Sequence, residues 1–338
     1  MAALARFILW LLSLIYRLAI AVWNLRWKIG PQVKLKSKVI SVGNLAVGGT
    51  GKTPLVIYIA QLALQAGYKT AVVARGYKRE SSGLIELHSE STWQEVGDEP
   101  LEVLYKAVGA RVYVDKSKTD AAVKASTDAA EVIIIDDGFQ HRKLHRDLDI
   151  VCLDWQKPLG PDGMLPSGTL REPVRALKRA DAIVYTSYDK EISPIDLLPD
   201  KYEIPNTFYI TSEITGFFHL QDNAALSIDE ISKERPVAFC GLADPAKFRT
   251  SLLKAGITPS VLVIFRDHHG YTQADYDDLC KKAEAEDTNC LITTFKDAVK
   301  IRSLDLRGFD VYSAQLEIAI GDESGIDESD RFKEFLGL

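Results

Sequence analysis

The sequence predicts an α/β fold in which a parallel sheet covered by helices on both faces is joined to a second, smaller α/β unit. From Lys38 to Thr186, short runs rich in Val and Ile alternate with helical stretches, a pattern typical of parallel strands buried on both faces. The alternation starts again at "PVAFCG" and continues through "SVLVIF", "CLITT" and "VYSAQLEIAI". The apolar first 29 residues form a separate segment ahead of both units.

Residues 1–29 are predicted to form a membrane-associated helix. The uninterrupted apolar run, residues 7–16, is shorter than the roughly 20 residues needed to span a hydrocarbon core. A helix lying in the headgroup region suits this mixture better, because its cations can meet anionic lipid while Trp side chains lie at the interface. A spanning helix and a helix packed on the protein's own core remain as alternatives. The cations that interrupt the segment are Arg6, Arg17, Arg26 and Lys28.

The first α/β unit is predicted over residues 30–195, with strands at "KVISVGN", "KTAVVARGY", "EVIIIDDG", "LDIVCLD" and "DAIVYTS" and a helix at "TPLVIYIAQLALQAG". Residues 196–225 are predicted to be a β-rich hinge, within a stretch that has no strong helical period and contains the strands "TFYIT" and "GFFHL". The second unit is then residues 226–338. In open parallel sheets the functional site lies at the carboxyl ends of the strands, so we expect it there.

Composition excludes several classes of function. A net charge of −6 over 338 residues argues against nucleic acid as the main partner. The four cysteines are scattered without a C-x-x-C pair, which is typical of a reducing compartment and predicts neither a zinc site nor a disulfide framework. No feature of the sequence implies a protein partner.

The segment "GNLAVGGTGKTP", residues 43–54, predicts a phosphate-binding P-loop between a strand and a helix. Its glycines let successive backbone N–H groups face one anion at the start of the helix. Lysine would reach the β- and γ-phosphates, and the following threonine would bind Mg²⁺. Ala46 stands where a P-loop usually has glycine, so the loop is a variant. The predicted phosphate-binding residues are Gly48, Gly49, Thr50, Gly51, Lys52 and Thr53.

The run "EVIIIDDGFQH" predicts a buried strand that delivers carboxylates to a metal ion. Asp136 would hold Mg²⁺ directly or through water, and Asp137 would lie beside it for the metal or the substrate. A solvated turn with two adjacent acids is the alternative, and the upstream P-loop favours the metal site.

Three places can supply a group that accepts or orients a proton during phosphate transfer. The first is "VGDEP", which contains Asp98 and Glu99 in a tight turn. The second is "FRDHHGYT", which contains Asp267, His268 and His269, and the third is His141 in "DDGFQH". A paired aspartate and histidine can share the proton, although each motif alone can also be a polar turn.

The ordered motifs "SVGNLAVGGTGKTP", "ARGY", "VGDEP", "DDGFQHRKLHRDLDIVCLD", "LPSGTLREP", "DHHGYT" and "TFKDAVK" resemble those of the tetraacyldisaccharide 4′-kinase family. The resemblance extends from the apolar amino terminus to about residue 300. It implies ATP- and Mg²⁺-dependent phosphorylation of the 4′-hydroxyl of a tetraacylated glucosamine disaccharide 1-phosphate. It further implies a peripheral or monotopic protein at the cytoplasmic face of the inner membrane, with a lipid substrate and a P-loop domain joined by a β-hinge to a second domain.

The resemblance also implies residue roles. Asp98 takes the place of the base, with His268 as its partner, although His269 stays open, and Lys52 acts on the phosphates. The residues around the metal are Thr53, Glu99, Asp136 and Asp137. The residues implied to meet the substrate or its phosphates are Arg75, Gln140 and Arg171. Lys118 stands where the family often has arginine, which keeps the charge but loses the planar fork that binds two phosphate oxygens.

Two other functions are compatible with a P-loop at a membrane. One is an NTPase switch that regulates a partner, but Val47 replaces the lysine that such switches carry before the glycine pair. The other is a non-catalytic scaffold with a degenerate P-loop, which the intact Lys52, Thr53 and acidic pair disfavour. Transfer of phosphate to a lipid separates the kinase from both.

Overall fold

A computed structural model of the chain describes residues 2–159, 163–192, 204 and 206–338. It confirms the predicted α/β class, because helices alternate with largely parallel strands. The strands of the first half are β1 (Lys38–Gly43), β2 (Thr70–Ala74), β3 (Ile85–Glu86), β4 (Arg111–Val114), β5 (Val132–Asp136), β6 (Leu148–Asp154) and β7 (Ala182–Thr186). Its helices are α1 (Ala2–Ile29), α2 (Lys52–Gln65), α3 (Trp93–Val96), α4 (Asp98–Lys106) and α5 (Lys118–Thr127), followed by a 3₁₀ helix at Val174–Arg179.

The second half repeats the alternation on a smaller scale. Its strands are β8 (Thr207–His219), β9 (Ala225–Leu226), β10 (Val237–Cys240), β11 (Val261–Ile264), β12 (Cys290–Thr293) and β13 (Asp310–Gly321). Its helices are α6 (Ile228–Lys233), α7 (Pro245–Lys254), α8 (Gln273–Ala285), α9 (Phe295–Ile301) and α10 (Ser329–Leu336).

In the described part of the chain, the strands form one continuous 13-stranded sheet rather than two separate sheets. Its order is β11-β10-β12-β13-β8-β7-β6-β1-β5-β2-β4-β3, with β9 paired to β8. Strands β8 and β13 are long and antiparallel, and their ladder, from Tyr312 opposite His219 to Gly321 opposite Tyr209, joins the two halves. The predicted short strands "TFYIT" and "GFFHL" lie in the single strand β8, apart from Leu220, which follows its end.

The core lies on both faces of the sheet. On one face, helices α2, α4 and α10 cover β1, β2 and β5, and the last helix contributes the fully buried Phe332 and Leu336 to this cluster. On the other face, α5 packs on the same strands, and a second cluster around Leu45 and Phe139 lies beneath α1. The predicted boundaries at residues 30–195, 196–225 and 226–338 stay a prediction, and positions 193–203 and 205 lie outside the described residues.

Candidate active site

The glycine-rich loop joins the end of β1 to the start of α2. Gly48 and Gly51 have φ angles of 121° and 67°, in the left-handed region that side chains rarely adopt. A Cβ atom on Gly51 would also lie 3.1 Å from the Cβ atom of Thr186. Gly51 precedes the first turn of α2, so Lys52 and Thr53 begin the helix whose free N–H groups attract an anion. The predicted strand–loop–helix context is present.

Ala46 occupies a position at which this loop needs no glycine. It forms an isolated antiparallel β-bridge with Leu170. The flanking backbone completes a short ladder, in which Val47 N donates to Thr169 O at 2.9 Å and Arg171 N donates to Leu45 O at 2.7 Å. Extended backbone is open to any residue, so the variant spacing of the motif reflects pairing with residues 169–171.

The acidic pair lies at the carboxyl end of β5, beside the loop. Asp136 is buried, and its Oδ1 atom has no hydrogen-bond partner among the described residues. Burial and the charge of Glu99 raise the pKa of Asp136 to about 6. Asp137 has a φ angle of 51°, and both of its carboxylate oxygens lie 2.9 Å from Nη1 of Arg171. Lys52 Nζ lies 3.8 Å from Asp137 Oδ1, which brings the loop and the acidic pair together.

The donor set fits Mg²⁺. Among the described residues, no group of three or more His, Cys, Asp or Glu side chains is arranged to hold a metal by itself. Mg²⁺, however, is usually bound by one or two carboxylates together with water and substrate phosphates. The unpartnered Oδ1 of buried Asp136, next to a phosphate-binding loop, is the oxygen that such a site requires.

Asp98 and His268 come together across the two halves of the molecule. Asp98 begins α4, whereas His268 lies in the loop after β11, and His268 Nδ1 is 2.8 Å from Asp98 Oδ2. His269 instead contacts Asp275 at 3.2 Å, so of the two histidines the structure pairs His268 with Asp98. Burial alone raises the pKa of Asp98, but the hydrogen bond from His268 and the charge of Lys300 outweigh it and hold that pKa well below its usual range. The same hydrogen bond raises the pKa of His268.

Helix α9 supplies two lysines that the sequence analysis did not single out. Lys296 Nζ is 2.7 Å from Glu99 Oε1, and its charge lowers the pKa of Glu99. The buried Lys300 Nζ is 2.9 Å from Asp98 Oδ2 and 3.6 Å from Asp297 Oδ1. The signal was the spacing of four residues within "TFKDAVK", which puts both cations on one helical face. Glu99 is thus engaged by a lysine, and its role at the metal stays a prediction.

Four further residues singled out from the sequence remain: Lys118, Gln140, Arg75 and His141. Lys118 is buried and its Nζ donates to the backbone oxygen of Asp137 at 2.6 Å, while burial lowers the pKa of this lysine. Gln140 Nε2 donates to Asn44 O at 2.8 Å and so supports the loop. Arg75 is exposed after β2. The third proton-transfer candidate, His141, lies 2.7 Å from Thr119 Oγ1, and burial lowers its pKa to about 4.

The Asp98–His268 pair predicts a pH-dependent contribution to stability. Because the folded pKa of His268 is raised, the pair stabilises the fold fully below the ordinary histidine value of 6.5 and loses this effect as pH rises through the folded pKa. Asp98 stays ionised throughout, since its pKa is lowered. We expect His268→Ala to reduce the free energy of unfolding more at about pH 6 than at about pH 9 in urea titrations. The exposed His88→Ala is the control, and an equal loss at both pH values would contradict the ion pair.

The chain is similar, over almost its whole length, to one family of known proteins. A family model described as tetraacyldisaccharide-1-P 4′-kinase (LpxK) matches residues 5–329. A tetraacyldisaccharide 4′-kinase of Geobacter metallireducens is 36% identical over 329 residues, covering 94% of this chain and 96% of that protein. A protein of the same name from Syntrophobacter fumaroxidans is 37% identical over 314 residues, covering 90% of this chain and 80% of that protein.

A solved structure shares the architecture. The crystal structure of "apo" form LpxK from Aquifex aeolicus in complex with ATP superposes with a TM-score of 0.78, at 29% sequence identity and 98% coverage of both chains. The similarity therefore includes the α1 segment, the P-loop half and the smaller second half, and the related protein binds ATP at this fold.

Proposed function

This chain belongs to the tetraacyldisaccharide-1-P 4′-kinase family and is an ATP-dependent lipid A 4′-kinase, and we propose which residues carry the transfer and where it takes place. The proposal rests on the presence of two groups of residues in the site. A P-loop lysine and an acidic pair come from the first half, and an Asp–His pair is formed jointly by both halves. Phosphate transfer requires a phosphate cradle and a group that orients the attacking hydroxyl, and these two groups supply them.

The nucleotide binds to the loop between β1 and α2. Backbone N–H groups from Gly48 to Thr53 surround the β- and γ-phosphates, and the Lys52 ammonium neutralises charge that develops during transfer. Thr186 Oγ1 donates to Thr50 O at 2.9 Å, and Asn44 Nδ2 donates to Thr50 Oγ1 at 3.0 Å, so the loop is held in shape before a ligand arrives. A preorganised cradle avoids reorganisation during the reaction.

Thr53 and Asp136 would hold Mg²⁺ beside the phosphates, with Asp137 and Glu99 as the further acids of the predicted set. Mg²⁺ held by these residues would supply positive charge that stabilises the negative charge of the phosphates. Thr53 is buried at the start of α2, and the pKa of Asp136, raised to about 6, would fall once a cation lay against it.

The acceptor hydroxyl is oriented by Asp98 and His268. Asp98 Oδ2 already accepts from His268 and faces Lys300, so its carboxylate is held in one direction and stays ionised. As the base, Asp98 accepts the proton of the 4′-hydroxyl, and His268 holds the Asp98 carboxylate in position through the 2.8 Å hydrogen bond that its Nδ1 donates. A fixed orientation matters because transfer depends on in-line approach to the γ-phosphate.

Cations next to Asp137 are proposed to meet the anionic groups of the substrates. Arg171 contacts Asp137 through Nη1, and Lys118 lies on the backbone of the same residue. Arg75 and Gln140 complete the set assigned to the lipid or its phosphates. Lys118 is a buried lysine and offers a point charge, whereas an arginine at this position would offer two parallel hydrogen bonds.

Helix α1 is proposed to lie on the cytoplasmic face of the inner membrane. It is long and apolar enough to cross a membrane by length and composition, with a mean hydropathy of 1.8 over Arg6–Trp27. Only 6% of that stretch is buried against the protein. A substrate with four acyl chains stays in the bilayer, so a surface helix brings the active site to the lipid headgroup. Flotation of the full chain with anionic vesicles tests this, and a chain that stays unbound would contradict it.

Mg²⁺ dependence tests the role of Asp136. We expect Asp136→Asn to require roughly tenfold or more Mg²⁺ for half-maximal transfer, since losing a ligand should weaken metal binding at least as much as losing a supporting residue. The same variant should unfold at a higher temperature, because it removes a buried charge whose Oδ1 atom has no hydrogen-bond partner in the described part of the chain. Asp229→Asn, at an exposed position on α6, is the matched control. An unchanged Mg²⁺ requirement would assign the metal to other ligands.

The function itself is tested by transfer of labelled phosphate from ATP to the tetraacyldisaccharide 1-phosphate in detergent micelles. An NTPase switch, the alternative function, would release free phosphate and leave the lipid unlabelled.

A further inference from the structure

One face of α1 rests on the protein, and its remaining described positions from Arg6 to Arg26 are exposed. The positions on this contact face follow each other at intervals of three and four residues, which is the spacing of a single helical stripe. We call them the contact stripe: Ser13, Tyr16, Ile20 and Asn24. Three of the four stripe residues form side-chain hydrogen bonds, whereas the exposed surface around the stripe is mostly apolar, so the two surfaces of α1 have different tasks.

Ser13, the first member of the contact stripe, binds the loop that precedes Arg171. Ser13 Oγ donates to Met164 O at 2.9 Å and accepts from Ser167 N at 3.0 Å. The Ser13 side chain is buried, which is unusual for a serine on an otherwise exposed apolar helix. A buried hydroxyl that both donates to and accepts from one segment fixes the position of that segment.

Two further members of the contact stripe, Tyr16 and Asn24, bind the backbone of Arg171 and the side chain of Glu172. Tyr16 OH donates to Arg171 O at 3.1 Å, and Asn24 Nδ2 donates to Glu172 Oε2 at 2.9 Å. Glu172 is buried and also accepts from Arg179 Nη1 at 3.0 Å. Ser13, Tyr16 and Asn24 therefore all bind one continuous stretch, residues 163–172, which we call the bracing segment.

The opposite side of the bracing segment contacts the phosphate site. Its residues 169–171 form the ladder with Leu45–Val47 at the beginning of the P-loop. At its end, Arg171 Nη1 contacts both carboxylate oxygens of Asp137. The bracing segment is thus held between α1 on one side and the P-loop with Asp137 on the other.

We infer that α1 is a positioning element for catalysis: through Ser13 and Tyr16 it holds the bracing segment, and with it the guanidinium of Arg171, against Asp137 and the P-loop. The inference rests on the proposed function of Arg171 and adds a task for α1 that is separate from membrane contact. The guanidinium of Arg171 must be held to within a fraction of an ångström for efficient transfer. It can be held in this way only if the backbone of the bracing segment is itself supported, and α1 provides that support.

The double variant Ser13→Ala/Tyr16→Phe tests the inference in the full chain. It removes the hydroxyl contacts to the bracing segment and leaves every exposed apolar residue of α1 in place. We expect kcat for transfer to fall roughly 5- to 50-fold, as for two lost hydrogen bonds, with little change in the KM for lipid. Flotation with phosphatidylethanolamine–phosphatidylglycerol vesicles should be unchanged. The matched controls Tyr105→Phe and Ser232→Ala remove the same groups at exposed sites on α4 and α6, and should retain full turnover.

A comparison with Arg171→Met separates positioning from general destabilisation. If α1 acts through Arg171, adding Ser13→Ala/Tyr16→Phe to Arg171→Met should lower kcat by less than twofold more, because coupled residues are not additive. Two results would overturn the inference while leaving the kinase function intact. One is a full kcat for Ser13→Ala/Tyr16→Phe, and the other is a loss of kcat in this double variant that multiplies with the loss caused by Arg171→Met. Full turnover by Arg171→Met itself would remove the proposed role of Arg171 and the inference with it.

Discussion

Replacing Lys52 by methionine is expected to lower the rate of phosphate transfer by about 10²–10³-fold, as for loss of a main group that stabilises transition-state charge. Methionine keeps most of the volume of the side chain but removes the cation that the P-loop holds 3.8 Å from Asp137 Oδ1. The charge on the transferred phosphoryl group would then lack the cation that a P-loop lysine supplies. Initial rates of transfer from labelled ATP measure the effect, and thermal unfolding checks that the fold is retained.

The exposed Lys281→Met is the matched control for this variant, because it removes an ammonium group on α8. Lys52→Arg should recover only part of the rate, since a planar guanidinium does not reproduce a point charge in a tight loop. Lys52→Met with a rate within threefold of the unaltered protein would mean that the loop does not hold the transferred phosphate.

Replacing Asp98 by asparagine is expected to lower transfer by about 10²–10⁴-fold, the range for loss of a general base, while ATP binding is retained. The asparagine cannot accept the proton of the hydroxyl. It also leaves His268 without the carboxylate whose hydrogen bond raises its pKa. The effect should appear in kcat, because the proton is transferred after both substrates have bound.

Glu102→Gln is the control for the base, since Glu102 is a second buried acid on the same helix and pairs with Lys106 at 2.8 Å. Equilibrium binding of ATP tests whether Asp98→Asn keeps a folded first half, since the substitution leaves the buried Lys300 with only the more distant acid Asp297, at 3.6 Å. A full rate of transfer by a folded Asp98→Asn protein would assign proton transfer to another group.

The parts of the site that the sequence predicted are those whose chemistry lies in one short stretch of chain. "GGTGKT" after a strand and before a helix predicts a phosphate cradle, and in the structure the glycines at 48 and 51 adopt left-handed angles beside Lys52. The buried run before Asp136 predicts an acidic pair at the end of a strand, where it lies. In both cases local backbone geometry and the residue type carry the information.

The parts that the sequence did not predict depend on contacts between distant stretches. The sequence predicts a variant loop at Ala46 but not the reason for it, because Ala46 pairs with Leu170, 124 residues away, and this pairing leaves no local pattern. The contact between Lys300 and Asp98 was not predicted for the same reason, because it joins residues from the two halves of the chain. The choice between His268 and His269 is decided by loop geometry, with His268 at a φ angle of 54°. The length of β8 follows from its ladder with β13, a pairing that periodicity alone does not show.

A transfer assay with γ-labelled ATP, Mg²⁺ and the tetraacyldisaccharide 1-phosphate in detergent micelles tests the claim that this site transfers the γ-phosphate of ATP to a lipid hydroxyl. The expected result is one labelled phosphate per lipid, at the 4′-position, formed at least about a hundredfold more slowly by Lys52→Met and Asp98→Asn. Release of labelled free phosphate without any labelled lipid, from a folded protein that binds ATP, would contradict the claim.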